Sequence, residues 1–495
     1  METAETLVRV VPNSRRLRFA KDVLVFGWAN VICLFLNAVL TFLLPKYLSI
    51  EDFGHYRLFI LYSSMAGLAH LGLLDGILVR WAERPDERIG LEIKSTFVFL
   101  LVQHVLVLAP ACLILARWFR TTESLGLWLG LVAYVVVFNC STIGQVALQA
   151  RKQFDRLSFF TVVTAASLLG LLLAWKLAGR LSALTAIASY VAANLLAAIG
   201  IWRAVLRPGA GRVPHLREIG KLGIADIHLG WRILIANSLL VLVPSLDRFF
   251  VSGALSIRDF AMYAFAGNAL AIVYTVAISA ARVVYPYLSE GTSLESRRRA
   301  YTLGRATLLT LWSFSLTLYF PTALLVHWIL PRYVSSLPVV RVLMINSGFV
   351  SMIHILHANY FRVSLALNQF LIGCAVGLAS AVVLLTLAMR IGRLEWFAGA
   401  MTVAVVIWWA TNERLLSRSL GDAWGARFRI LFLWLVSSGL FFAASTIRNL
   451  WLAGLTYIAV ALPLIVFGLR KTLLPLLGQV LRWFQRENPR SLFYQ

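Results

Sequence analysis

Residues 48–56 read LSIEDFGHY and residues 255–263 read LSIRDFAMY, identical at six of nine positions across an offset of 207. Each stretch reads as the start of a helix. Ser49 is placed to cap it, and Asp52, three residues on, can return a hydrogen bond, which makes a capping box. Leu48 and Phe53 take the two positions of a hydrophobic staple, and Tyr56 suits a membrane interface. Leu255, Ser256, Asp259, Phe260 and Tyr263 repeat every part of that set. The same register carries on without gaps. LGLLDGILVRWAE (Leu71 to Glu83) falls on ISAARVVYPYLSE (Ile278 to Glu290), with Glu83 on Glu290.

The chain around these turns is too apolar for a soluble domain. Of its 495 residues 60% are hydrophobic and only 14% charged, against about 45–50% and about 25% in soluble proteins. VLVFGWANVICLFLNAVLTFLL (Val23 to Leu44) carries no formal charge and exceeds the roughly 20 residues that cross a bilayer core. Such blocks recur, and we expect about fourteen transmembrane helices. Spans one and two lie near 23–44 and 56–79, seven and eight near 225–250 and 260–288, and ten near 338–361. The repeated nonapeptide then sits between spans one and two and again between seven and eight. An all-α polytopic protein follows, built from two parallel six-helix repeats related by an axis along the membrane normal. The expected units are an N-terminal lobe, 1–203, and a C-terminal lobe, 225–418, around a central cavity. A basic linker, 204–224, joins the lobes, spans 13 and 14 occupy 419–469, and a basic amphipathic tail occupies 470–495.

The net charge of +24 fits the same reading. With both termini in the cytoplasm, most Lys and Arg fall in inside segments, as the positive-inside rule requires. The charge therefore records topology and attraction to anionic lipid, and we expect no nucleic-acid partner. Cys33, Cys112, Cys140 and Cys374 lie in predicted spans at unrelated spacings, which gives neither a disulfide framework nor a metal site. No cofactor is expected.

At these residues the chain resembles the polysaccharide-exporter, O-antigen (Wzx-like) branch of the MOP (multidrug/oligosaccharidyl-lipid/polysaccharide) flippase superfamily. YLSIEDFGHYRLFILYSSMAGLAHLGLLDGILVRWAE resembles that family's opening, and DRFFVSGALSIRDFAMYAFAGNALAIVYTVAISAARVVYPYLSE its second half. The resemblance implies two six-helix lobes whose spans one, two, seven and eight line a cavity. It implies movement of polyprenyl-diphosphate-linked oligosaccharide from the cytoplasmic to the outer leaflet, in a bacterial plasma (inner) membrane. Polysaccharide-assembly proteins become possible partners, and the pseudo-symmetry makes a functional monomer sufficient.

Flipping makes no bonds, so no catalytic residue is expected. It must carry a diphosphate through a region where an unpaired charge is very costly. A guanidinium stays charged and grips phosphate bidentately. Arg232, Arg282 and Arg341 fall in spans, with Arg80 at the end of span two, and these four are the candidate diphosphate ligands. Each has a plainer reading, as the partner of a carboxylate or a side chain reaching the interface. Asp75 falls on Arg282 under the repeat, so the two are candidate gate partners, with an Asp75–Arg80 pair as the alternative. Asp226 and His228, in ADIHLGWR, are candidate gate or coupling groups. His354 and His357 are three apart but have no acid nearby to complete a metal site. A cation-coupled antiporter of the MATE type shares the fold. It would be expected to carry a carboxylate inside span one, where this chain has Asn30 and Asn37 and only Asp22 at the edge. A membrane enzyme would need a clustered catalytic set outside the bilayer, and the outer loops here are short.

Overall fold

The computed structural model describes residues 13–82, 86–118, 122–206, 216–270, 294–364, 366–420 and 424–470. Among the described residues it is helical throughout, with no strand. Ten helices among the described residues are long and apolar enough to cross a membrane, and a bent pair makes an eleventh. Val31–Tyr47 and Phe428–Ala444 are shorter apolar helices. The expected eighth span is described only as far as residue 270, and the amphipathic tail lies outside the described residues.

Packing divides the chain into two units between Val241 and Leu242. The first contains α1 (Asn13–Tyr47), α2 (Ile50–Ser63), α3 (Leu73–Ala82), α4 (Asp86–Trp118), α5 (Thr122–Ala150), α6 (Phe154–Leu177), α7 (Ala183–Val205) and nearly all of α8 (Leu216–Leu242). Its core gathers Leu73, Ile77, Trp81, Ile93, Ile143 and Ile201, all at most 2% exposed.

The nonapeptide folds as its residues dictate. Ser49 Oγ accepts the Asp52 N–H at 2.9 Å and donates to Asp52 Oδ2 at 2.8 Å. Leu48 and Phe53 are buried together at the entry to α2. Asp52 Oδ1 also accepts the Ala183 N–H at 2.9 Å, which caps the first turn of α7. In the second copy Ser256 Oγ accepts the Asp259 N–H at 3.1 Å and donates to Oδ2 at 2.6 Å. It opens α10, residues 257–270.

Span two departs from the expected single helix over 56–79. It is broken between α2 and α3 by a 3₁₀ turn, Ala66–His70, and bends by 61°. Leu71 and Gly72 adopt φ values of 52° and 94°; the first is uncommon for a branched residue and the second is glycine's own territory. The Gly72 N–H, which has lost its helical acceptor, is satisfied by His70 Nδ1 at 3.1 Å. Gly67 and Gly72 marked this break in the sequence, but apolar neighbours hid it. Span seven also ends earlier than 250: Pro244 opens a 3₁₀ turn, Val243–Ser245, before α9 (Leu246–Ala254).

The second unit continues through α9, α10, α11 (Leu294–Ser315), α12 (Tyr319–Ile329), α13 (Leu337–Met352), a π-turn (Ile353–His357), α14 (Ala358–Val363), α15 (Leu367–Ile391), α16 (Leu394–Leu420), α17 (Trp424–Ala444) and α18 (Leu450–Gly468). Aromatic rings fill its interior: Trp434 stacks on Trp312 and lies 4.2 Å from Phe349, centroid to centroid. Spans 13 and 14, α17 and α18, are fastened to α11 by three hydroxyls. Ser313, Ser437 and Tyr457 lie within 2.7–2.9 Å of one another.

Candidate functional site

The half-helix α3 crosses α8 with almost no space between the backbones. A Cβ on Gly76 would stand 2.0 Å from the Asp226 carbonyl oxygen, and one on Gly230 would stand 2.0 Å from the Gly72 carbonyl oxygen. Gly72 and Gly76 form a GxxxG pair, the spacing that lets membrane helices approach closely. This crossing sets what lies beside it. Four residues beyond Gly76 on α3, and at the contact itself on α8, Arg80 and Asp226 meet in a two-pronged pair. Arg80 Nε donates to Asp226 Oδ1 at 2.7 Å and Nη2 to Oδ2 at 2.8 Å.

Arg80 Nη1 donates to Glu92 of α4, which also accepts Trp81 Nε1–H at 2.9 Å. Glu92, Ser95 and Thr96 share one face of α4, at spacings of three and four residues. With Leu73, Phe99, Ile219, Leu222 and Gly223 they enclose a small crevice beside Arg80 and Asp226. The Ser95 hydroxyl is buried at its edge, 4% exposed as a residue, with no hydrogen-bond partner among the described residues.

The other candidates lie elsewhere. Asp75 Oδ1 accepts from Asn237 Nδ2 at 3.3 Å, and Oδ2 lies 4.0 Å from His70 Nε2. Asp75 is not paired with Arg80, whose three guanidinium nitrogens donate to Asp226 and Glu92. Arg282, proposed as its gate partner, lies outside the described residues. His228 and Arg232 are both exposed, on a face of α8 away from Asp226 and Gly230, and the Arg232 guanidinium lies 5.3 Å over the Trp231 ring. In the second unit Arg341 rests 5.1 Å over the Phe442 ring, with its Nε buried and without a hydrogen-bond partner among the described residues. The structure thus brings together Arg80 and Asp226 and does not bring His228 or Arg232 to them.

A further charged cluster was not anticipated. Glu413 of α16 accepts from Tyr301 Oη at 2.8 Å and Arg305 Nη1 at 3.0 Å, with His357 Nε2 at 3.3 Å. The acid that His357 lacked nearby is supplied 56 residues further on. Charged residues inside the apolar runs of α11 and α16 were the available signal.

The family model described as "Polysaccharide biosynthesis protein" matches residues 43–335. The chain belongs to that family. No curated protein matches it in sequence. Among solved structures it is similar to the lipid II flippase MurJ in an inward closed conformation, with a TM-score of 0.67 and 11% identity over 92% of this chain and 100% of that one. It is also similar to a Vibrio cholerae MATE transporter, TM-score 0.54 and 15% identity, covering 81% of this chain and 97% of that one. An inward-facing MATE transporter of the MOP superfamily gives 0.51 and 15%, over 80% and 95%. At these identities the likeness is one of fold. The family and the fold together make the chain a multi-pass membrane protein of the polysaccharide biosynthesis family, with a fold similar to those of MurJ and the MATE transporters.

Proposed function

We propose that this polysaccharide biosynthesis family member translocates a polyprenyl-diphosphate-linked oligosaccharide from the cytoplasmic to the outer leaflet of a bacterial plasma membrane. The observation that carries the reading is Arg80, an arginine in the last turn of an apolar half-helix, held at a crevice by carboxylates on two neighbouring helices, within a family of polysaccharide biosynthesis proteins. A charge at the centre of a span costs about 2.5–3.5 kcal/mol even on insertion scales and less towards its ends, so a charged residue within an apolar helix is retained for a function by default. A guanidinium that can exchange a carboxylate for a phosphate needs no new chemistry to hold a diphosphate. Arg232, Arg282 and Arg341 complete the proposed set of diphosphate ligands, and Asp75, Asp226 and His228 the gate or coupling set. The working unit is a monomer of two repeated lobes with both termini cytoplasmic, serving polysaccharide-assembly proteins.

A cation-coupled antiporter is the second reading, favoured by one observation: Asp75 is a carboxylate in the first turn of the apolar half-helix that follows the break in span two. A leaflet-exposure assay in proteoliposomes separates the two. The flippase reading expects translocation of lipid-diphosphate-linked oligosaccharide by the native protein and its loss in Arg80→Gln. Cation-dependent efflux of soluble compounds, with no movement of such lipids, would replace it with the antiporter.

A further inference from the structure

Arg80 has two carboxylate partners on different helices. Glu92 lies only 12 residues from it, on the next helix, while Asp226 comes from α8, 146 residues away. The contact with Asp226 exists only because Gly72, Gly76 and Gly230 let the two backbones touch. If α8 withdrew from α3, Asp226 would leave and the Arg80 fork that it occupies would open towards the crevice. A second donor already waits there, the buried and unpartnered hydroxyl of Ser95. Leaving a buried hydroxyl without a partner is costly, so it is retained where something else can satisfy it. Ser95 has no acceptor among the described residues in the closed arrangement, and a phosphoryl oxygen would be one.

We propose that Arg80 is a switched phosphate ligand. Closed, its two-pronged pair with Asp226 latches α3 to α8. Open, the same fork takes a phosphoryl oxygen, with Ser95 as the second donor and Glu92 keeping the guanidinium oriented through Nη1. A diphosphate carries more negative charge than one carboxylate, so it displaces Asp226 once the crossing loosens. The assignment rests on the flippase reading for its ligand, but the latch itself does not.

The test uses the full chain with Cys33, Cys112, Cys140 and Cys374 replaced by alanine. Spin labels are placed at Val79→Cys and Ile224→Cys, both exposed positions on the two crossing helices, at 45% and 65%. The interlabel distance is followed as inorganic pyrophosphate is added. Pyrophosphate is expected to lengthen it. Asp226→Asn is expected to lower the half-effective concentration about tenfold, the weight of one charge-assisted hydrogen bond. Ser95→Ala is expected to raise it about fivefold while leaving the starting distance unchanged, as for one neutral hydrogen bond. Should Asp226→Asn fail to fold, Arg80→Lys, which keeps the charge but loses the fork, must weaken the pyrophosphate response and lengthen the starting distance. A distance indifferent to pyrophosphate, or the same response in Asp226→Asn and the native protein, would overturn the proposal. A distance that responds as expected in a protein that moves no lipid-linked sugar would keep the switched site and remove the flippase reading.

Discussion

The two units each hold a charged cluster, and the clusters are built in opposite ways. In the second unit one carboxylate, Glu413, is saturated by Tyr301, Arg305 and His357. The Arg305, Glu413 and His357 side chains are only 1%, 2% and 0% exposed. In the first unit one arginine is shared by two carboxylates beside a crevice, and the Arg80 and Glu92 side chains keep 15% and 19% of their surface open. A sealed cluster has nowhere to send its charges, because losing a partner strands an ion in a low-dielectric interior. An arginine at the edge of a crevice can change partners without ever being stranded. The sealed cluster holds α11, the π-turn and α16 together; the open one is suited to a cycle.

The contrast breaks first at Glu413. Glu413→Ala leaves Arg305 buried without its carboxylate and should cost about 3–5 kcal/mol, the usual penalty for breaking a buried pair from one side. Thermal unfolding in detergent would read this as a large fall in Tm, and a Tm within a degree or two of native would mean the cluster is not structural. Gly76→Ala should act less on stability, about 1–3 kcal/mol as for overpacking, but more on the conformational cycle. Its Cβ would fall on the Asp226 carbonyl, so α3 and α8 must separate and translocation should change even where Tm barely moves.

The smallest effect compares the two copies of the nonapeptide. Asp52 serves both its own helix and the first turn of α7, whereas Asp259 among the described residues bonds only to Ser256. Asp52→Ala should therefore destabilise by about 1 kcal/mol more than Asp259→Ala, the value of one helix cap. Equal shifts in Tm would show that the bond to Ala183 contributes nothing.

Much of this was legible in the residues. Uncharged runs longer than a bilayer is thick announced the spans, and a capping box with its staple announced each helix start, because both are short-range physics. The break in span two was half legible: Gly67 and Gly72 were in view, but an apolar stretch reads the same whether it is one helix or two. The partners of Arg80 were not legible. Pairing with a carboxylate was foreseen as the plainer outcome, but the sequence pointed to nearby Asp75, while the crossing supplied Asp226. The same holds for Glu413, which meets Arg305 across 108 residues.

By itself the sequence determined that the chain lives in a membrane, that it says one turn twice, and where its helices begin. Hydropathy and capping depend on neighbours a few residues away, so a linear pattern carries them. Only the tertiary structure decided which charges meet, which are sealed and which keep an open edge. That choice depends on how closely two backbones approach, and at the crossing of α3 and α8 the approach is set by three hydrogen atoms where other residues would carry a side chain.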